Sequence, residues 1–296
     1  PRRQPSKPSK YCVIMLRPIQ TMLARISQAK PAPCTTVTAL NGRSMAKPRS
    51  KKPKHSLRTV FQWPHCPSTL VAKPTDPKRS LSMHVVITGA NRGIGLALEQ
   101  TLKTEGHNVT GTSRTGGEYL ELDVTNADSQ RAMAQALDTQ PVDLLICNAG
   151  VFLDKGQNLA DGYAPNLWAD TFAANVTGVF LSVQNLLPNL QLAQNPKIAI
   201  ISSQMGSSTK VGGGSYVYRA SKAATLNLGL NLAADLKHIG IAVGIYHPGW
   251  VKTDMGGDGG DITVSESATG LVERFHALSL ETTGCFETWD GRAHPI

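Results

Sequence analysis

His84-Val85-Val86-Ile87-Thr88-Gly89-Ala90-Asn91-Arg92-Gly93-Ile94-Gly95 sets a short β-branched apolar run directly against a glycine-rich turn. The run suits a buried strand, and the Leu96-Ala97-Leu98-Glu99-Gln100-Thr101-Leu102 stretch after it is apolar at helical spacing. Strand, glycine turn and helix in this order make a phosphate cradle. Gly89 permits the tight turn, Gly93 lets backbone approach a pyrophosphate, and Gly95 lets the helix pack on the strand. The helix N-terminus then offers its N–H groups to the phosphate. Gly256-Gly257-Asp258-Gly259-Gly260 has no strand before it and reads as loop.

From Met83 the chain runs for 214 residues, enough for one domain with a substantial core and too few for a second. After the first strand, residues 106 to 113, 118 to 122, 142 to 147, 196 to 202, 240 to 246 and 283 to 287 read as strands. Segments near 127 to 138, 166 to 187 and 215 to 238 read as helices. Alternation of this kind implies an α/β doubly wound parallel sheet with right-handed crossovers. Ligand then lies at the carboxyl ends of the strands, where Thr88, Asn148, Ser203 and His247 fall.

Tyr218-Arg219-Ala220-Ser221-Lys222 places a phenol and an ammonium on one helix face, one turn apart. A fixed cation favours the phenolate and brings a hydroxyl that ionises near ~10 towards a useful range. The same spacing also arises in helices where the Tyr packs and the Lys is solvated. Tyr216 competes for the role, but it lies six residues from Lys222, on the wrong face.

The spacing Thr-Gly-x-x-x-Gly-x-Gly, with Tyr-x-x-x-Lys about 120 residues further on, resembles the short-chain dehydrogenase/reductase family. Further matches follow in family order: Leu122-Asp123-Val124, Asn148-Ala149-Gly150, Ala174-Asn175-Val176, Ile200-Ile201-Ser202-Ser203 and His247-Pro248-Gly249-Trp250-Val251-Lys252-Thr253-Asp254. The resemblance covers residues 83 to 296 and implies a Rossmann fold. Gly213-Gly214 before the Tyr, and the ending from Gly284-Cys285-Phe286 to Pro295, are similar to the small carbonyl-reductase-like members that include the bacterial C-factor proteins.

The resemblance implies hydride transfer between nicotinamide and a carbonyl or secondary alcohol. Tyr218 would give the proton, Lys222 would hold the nicotinamide ribose, a serine would bind the carbonyl oxygen, and Asn175 would position a water in a proton relay. In most members that serine lies 13 residues before the tyrosine, where this chain has Met205; Ser203 is 15 before and Ser202 is 16. The strand-end position favours Ser203, and Gly212-Gly213-Gly214 can absorb the insertion.

Cofactor choice follows from the second strand. NAD-preferring folds place an acid about 20 residues past the first glycine to hold the ribose 2′-hydroxyl, whereas a 2′-phosphate calls for cations. Val109-Thr110-Gly111-Thr112-Ser113-Arg114 carries no acid. Arg114 and Arg92 are placed to clamp the phosphate, so NADP is expected over NAD, unless both are solvated surface cations. By resemblance Asp123 and Val124 meet the adenine, Asn148-Ala149-Gly150 lines the cofactor, and Asn91, Ile94, Pro248, Gly249, Val251 and Thr253 complete its contacts. Trp250, Val251 and Met255 offer apolar surface for a small hydrophobic substrate, and the glycines of the loop from Trp250 to Asp261 imply mobility.

Residues 1 to 82 carry 17 Lys/Arg against Asp76 alone, while the rest carries 13 Lys/Arg against 20 Asp/Glu, so the basic balance of the chain belongs to this segment. Its Pro-, Ser- and Lys-rich composition reads as a disordered extension. Three readings stand: an organelle transit peptide, a basic arm for nucleic acid without any aromatic platform, or an upstream-extended gene model ahead of Met83. Nucleic acid is not expected as a partner, and no apolar run is long enough to span a bilayer. Two of the five Cys, Cys147 and Cys285, lie in apolar strands, which favours a reducing, cytoplasmic setting over a disulfide framework. No zinc-like spacing is present. A homo-oligomer formed through the Tyr218 helix is expected. The rival reading is a dinucleotide-binding regulatory protein of C-factor type with little turnover.

Overall fold

The computed structural model describes residues 82–296. The basic extension, apart from Ser82, lies outside the described residues. Strand β1 (His84–Ile87) leads into helix α1 (Gly93–Thr104), β2 (Asn108–Ser113), β3 (Leu120–Glu121), α2 (Ala127–Ala136) and β4 (Leu144–Cys147). The second half runs α3 (Pro165–Phe172), α4 (Gly178–Leu192), β5 (Lys197–Ile201), α5 (Tyr216–Leu236), β6 (Ala242–His247), α6 (Val264–Ala277) and β7 (Phe286–Thr288). All seven strands pair in parallel in the order β3-β2-β1-β4-β5-β6-β7. Winding reverses between β1 and β4, and that is where a doubly wound sheet opens its binding crevice.

The central strands are apolar at nearly every position because each face of the sheet meets helices. Val86, Leu145, Cys147, Ile198, Ile200 and Val243 point to one side, against Met133 of α2, Leu186 and Leu190 of α4 and Leu236 of α5. Val85, Ile87, Leu144, Ile146 and Ala199 point to the other, against Leu98 and Leu102 of α1 and Leu271 and Phe275 of α6. Most of these side chains are fully buried, each stabilising the fold by roughly 1.5–3 kcal/mol relative to exposure.

Two elements differ from the sequence reading. The helix expected over 166 to 187 is interrupted: a π-helical turn, Ala173–Thr177, joins α3 to α4. It then runs on through Pro188 to Leu192, because Leu186 and Leu190 bury against β4 and β5 and their packing outweighs the missing proline N–H. Helix α6 lies beyond the segments read as helical. Thr263 and Glu266 form a reciprocal capping box at its start.

Candidate active site

The glycine turn is built by close approach. Gly89 adopts φ +68° and lies against Ala149, while a methyl on Gly95 would strike the Gly89 carbonyl oxygen and come within 2.6 Å of Asn148 Nδ2. No side chain caps the N-terminus of α1, so its N–H groups are left to a ligand, as an anion cradle requires. Thr88 Oγ1 accepts from the backbone N–H groups of Asn148 and Ala149, both at 3.0 Å. Asn148 Nδ2 donates to the carbonyls of Thr88 (3.1 Å) and Gly89 (2.9 Å). These bonds sew the ends of β1 and β4 together at the switch point. Asn91 and Arg92 are exposed, and Ile94 packs into the core.

Arg114 is exposed immediately past β2. Asp123, half-buried after β3, accepts from the Thr125 amide (2.9 Å) and hydroxyl (2.7 Å) through Oδ1, and these bonds hold its carboxyl below the usual range. Val124 packs against Gly178 at the start of α4. Past β6, Pro248 O accepts from Ser267 Oγ at 2.6 Å, Gly249 adopts φ +90°, and Val251 is buried and bridges to Ile262. Thr253 Oγ1 accepts from Gly256 N, and its methyl lies near Gly93. Arg92 reaches the same loop through Asp254.

Tyr218 and Lys222 stand one turn apart in α5, both largely buried. Lys222 Nζ lies 5.7 Å from the Tyr218 ring centroid and donates to Ile201 O at 3.0 Å. Burial lowers the ammonium to about 8. The phenol departs from expectation: burial pushes it up to about 12, the Ser203 hydroxyl offsets part of the rise, and Asp154 adds to it. Desolvation therefore outweighs the neighbouring cation. Tyr216 is partly exposed and packs edge-on against Tyr163 at 5.2 Å, away from Lys222.

The two serines past β5 divide their tasks. Ser202 Oγ donates to Lys222 O at 3.2 Å and is committed to the helix. Ser203 Oγ accepts from Met205 N at 3.1 Å, which leaves its own proton to donate beside the phenol. Asn175, in the π-helical turn, accepts from Val151 N (2.8 Å) and donates to Val151 O (2.9 Å) and Ser221 Oγ (3.0 Å). A methyl placed on Gly150 would lie 3.0 Å from Asn175 Oδ1 and 3.6 Å from Lys222 Nζ, so Gly150, Asn175 and Lys222 converge.

Sequence reasoning missed Asp154. Its carboxylate is fully buried and accepts from Val217 N (2.9 Å) and Tyr218 N (3.2 Å). The available signal was an acid set just after apolar Val151-Phe152-Leu153; Ser215 directly before α5 reads in sequence as that helix's own cap, and only the fold shows that its side chain makes no bond to the helix. Glu105, His107 and His276 meet at the opposite end of the sheet. Met83 N–H donates to His107 Nδ1 at 3.3 Å, which puts the ring proton on Nε2, towards Glu105, and makes the group a hydrogen-bonded clamp. Among the described residues no helix is long and apolar enough to cross a membrane.

The short chain dehydrogenase family model matches residues 83–261. The C-signal of Myxococcus xanthus is 37% identical over 170 residues, 56% of this chain and 99% of that protein. The NADPH-bound carbonyl reductase from chicken fatty liver superimposes with a TM-score of 0.67 at 30% identity, covering 73% of this chain and 99% of that one. Carbonyl reductase Sniffer of D. melanogaster gives 0.67 at 26% identity, over 73% of this chain and all of that one. The chain belongs to the short-chain dehydrogenase family, oxidoreductases that work with nicotinamide cofactors.

Proposed function

We propose that the protein interconverts the carbonyl group of small apolar substrates and the corresponding secondary alcohol with NADP(H), using Tyr218 as the acid and base. The observation that carries this reading is the convergence of Tyr218, Ser203, Lys222 and Asn175 beside the glycine turn. The cradle fits a dinucleotide, because the Gly95 contact leaves no room for a side chain and α1 is uncapped. Gly89, Asn91, Gly93, Ile94 and Gly95 would hold the pyrophosphate, Asp123 and Val124 the adenine, and Asn148, Ala149, Gly150, Pro248, Gly249, Val251 and Thr253 the nicotinamide half. Arg114 and Arg92 favour a 2′-phosphate. The chicken carbonyl reductase, bound to NADPH, supports that preference.

Held by Lys222 and the Asn148 to Gly150 segment, a bound nicotinamide would supply the hydride that the carbonyl carbon takes up. Ser203 Oγ donates a hydrogen bond to the carbonyl oxygen, which gains negative charge in the transition state. Tyr218 gives that oxygen its proton, and a phenol raised to about 12 stays protonated at neutral pH for this purpose. Lys222 stabilises the phenolate that remains. Asn175 Oδ1 keeps one lone pair to hold a water for reprotonation. Leu153, Tyr216, Trp250 and Met255 expose apolar surface on the segments flanking the site, which supports a hydrophobic substrate.

A screen of aldehydes and ketones with NADPH and NADH, on the full chain and on protein starting at Met83, tests the reading. Turnover with NADPH in both forms is expected, with residues 83–296 forming the whole catalytic domain. Similarity to the C-signal supports a second reading, a dinucleotide-binding regulatory protein with little turnover. NADPH binding without reduction of any carbonyl compound would favour it.

A further inference from the structure

We infer that Asp154 is a positioning residue of this reaction: its carboxylate caps the helix carrying Tyr218 and locks that residue to the segment following β4. The inference rests on the reading of Tyr218 as the acid–base group. Helix α5 has no cap of its own. Gly213, Gly214 and Ser215 have φ of 68°, 65° and 45°, and Ser215, at the N-cap, makes no side-chain bond to the helix. The first N–H groups of a helix need partners when buried, and here both come from a residue more than 60 positions earlier in the chain.

Asp154 Oδ2 accepts from Val217 N at 2.9 Å, and Oδ1 and Oδ2 accept from Tyr218 N at 3.2 and 3.3 Å. The carboxylate has no solvent exposure and, among the described residues, no Lys, Arg or His pairs with it. A helix N-terminus is the environment that can hold such a charge, through its N–H groups and the positive end of its dipole. Phe152, two residues upstream, stacks on the Tyr218 ring at 4.2 Å and 20°. Val151 is held in turn by Asn175. One short segment therefore grips the backbone and the ring of Tyr218 together, so the phenol cannot shift without Val151 to Asp154 shifting too.

The charged and hydrogen-bonding groups facing the phenol are Lys222 on its own helix, Ser203 past β5 and Asp154 past β4. Of these, only Asp154 adds negative charge. D154N keeps an acceptor without the charge, and D154A keeps neither. Compared in the full chain with NADPH and a reducible carbonyl compound, both variants should hold cofactor affinity within a few-fold. D154A should lose roughly tenfold or more in kcat through misplacement of the phenol. D154N should fold and show a pH profile of kcat displaced towards acid, because the phenol loses a group that opposes its ionisation. A D154N profile superimposable on wild type, with any loss of kcat tracking a loss of Tm, would mean a merely structural cap and overturn the inference. Y218F run alongside separates the two readings. Retained turnover in Y218F would remove the acid–base assignment itself, whereas lost turnover with D154N unchanged in kcat and profile would overturn the role of Asp154 alone.

Discussion

Arg92 and Asp254 meet across the mouth of the site, Nη1 donating to Oδ2 at 2.9 Å, with both side chains largely in solvent. The pair ties the glycine turn to the loop after β6 and occupies one of the two cations suited to a 2′-phosphate. An exposed pair of this kind contributes roughly 0–1 kcal/mol. Asp254→Ala should therefore leave Tm nearly unchanged while freeing Arg92, and NADPH should bind a few-fold tighter with NADH unaffected. Fluorescence titration of both cofactors checks this. Weaker NADPH binding would mean that Asp254 orders the turn for the phosphate instead of competing with it.

On the proposed NADP(H) reading, Arg114 would carry the rest of the preference for a 2′-phosphate. A charge-assisted contact to phosphate contributes ~1.5–3 kcal/mol. Arg114→Asp should weaken NADPH binding by about tenfold to a hundredfold and NADH binding far less, because the added carboxylate repels only the 2′-phosphate. Equal losses for both cofactors would assign Arg114 to the support of the β2 loop.

The sheet was legible because its strands are buried on both faces. Runs such as Val85-Val86-Ile87 and Leu144-Leu145-Ile146 need no partner to be recognised, and the glycine turn gave the order of elements. What stayed hidden depends on contacts distant in sequence. The π-helical turn at Asn175 carries no local breaker, and it is held by Val151 and Ser221. Asp154 looks like any loop acid until α5 is placed against it. The rise of the Tyr218 phenol was unreadable for the same reason: the four-residue spacing gives the cation, but the burial that outweighs it belongs to the folded packing.

Lys222 makes a stability prediction apart from activity. Its ammonium titrates at about 8 against 10.5 when unfolded, so below about pH 8 the folded state bears a buried charge costing a few kcal/mol. Between those values the folded chain binds fewer protons than the unfolded one, so stability rises with pH. Above about pH 10 the raised Tyr218 phenol acts in the opposite sense, and stability falls as the unfolded chain ionises first. Lys222→Met should abolish turnover yet raise the urea midpoint at about pH 7, and its midpoint should change less than that of wild type up to about pH 9.5. A variant less stable than wild type at neutral pH would show that the bond to Ile201 O outweighs the desolvation of the charge.

Ser202 and Ser203 supply the sharpest test of the site, since neighbouring hydroxyls have been given different work by the fold. Ser203→Ala removes the group proposed to donate to the developing oxyanion, and loss of one such donor costs about a hundredfold to a thousandfold in kcat. Cofactor affinity should stay within a few-fold, because the hydroxyl serves the transition state. Ser202→Ala removes the bond to Lys222 O at 3.2 Å, worth about 1 kcal/mol of stability, and leaves kcat within a few-fold. Steady-state kinetics and thermal melts of the two variants decide between them. A large kcat loss in Ser202→Ala with Ser203→Ala near wild type would move the oxyanion donor one residue back. It would then follow that the Met205 amide, which bonds to Ser203 Oγ at 3.1 Å, holds that hydroxyl only to cap the turn.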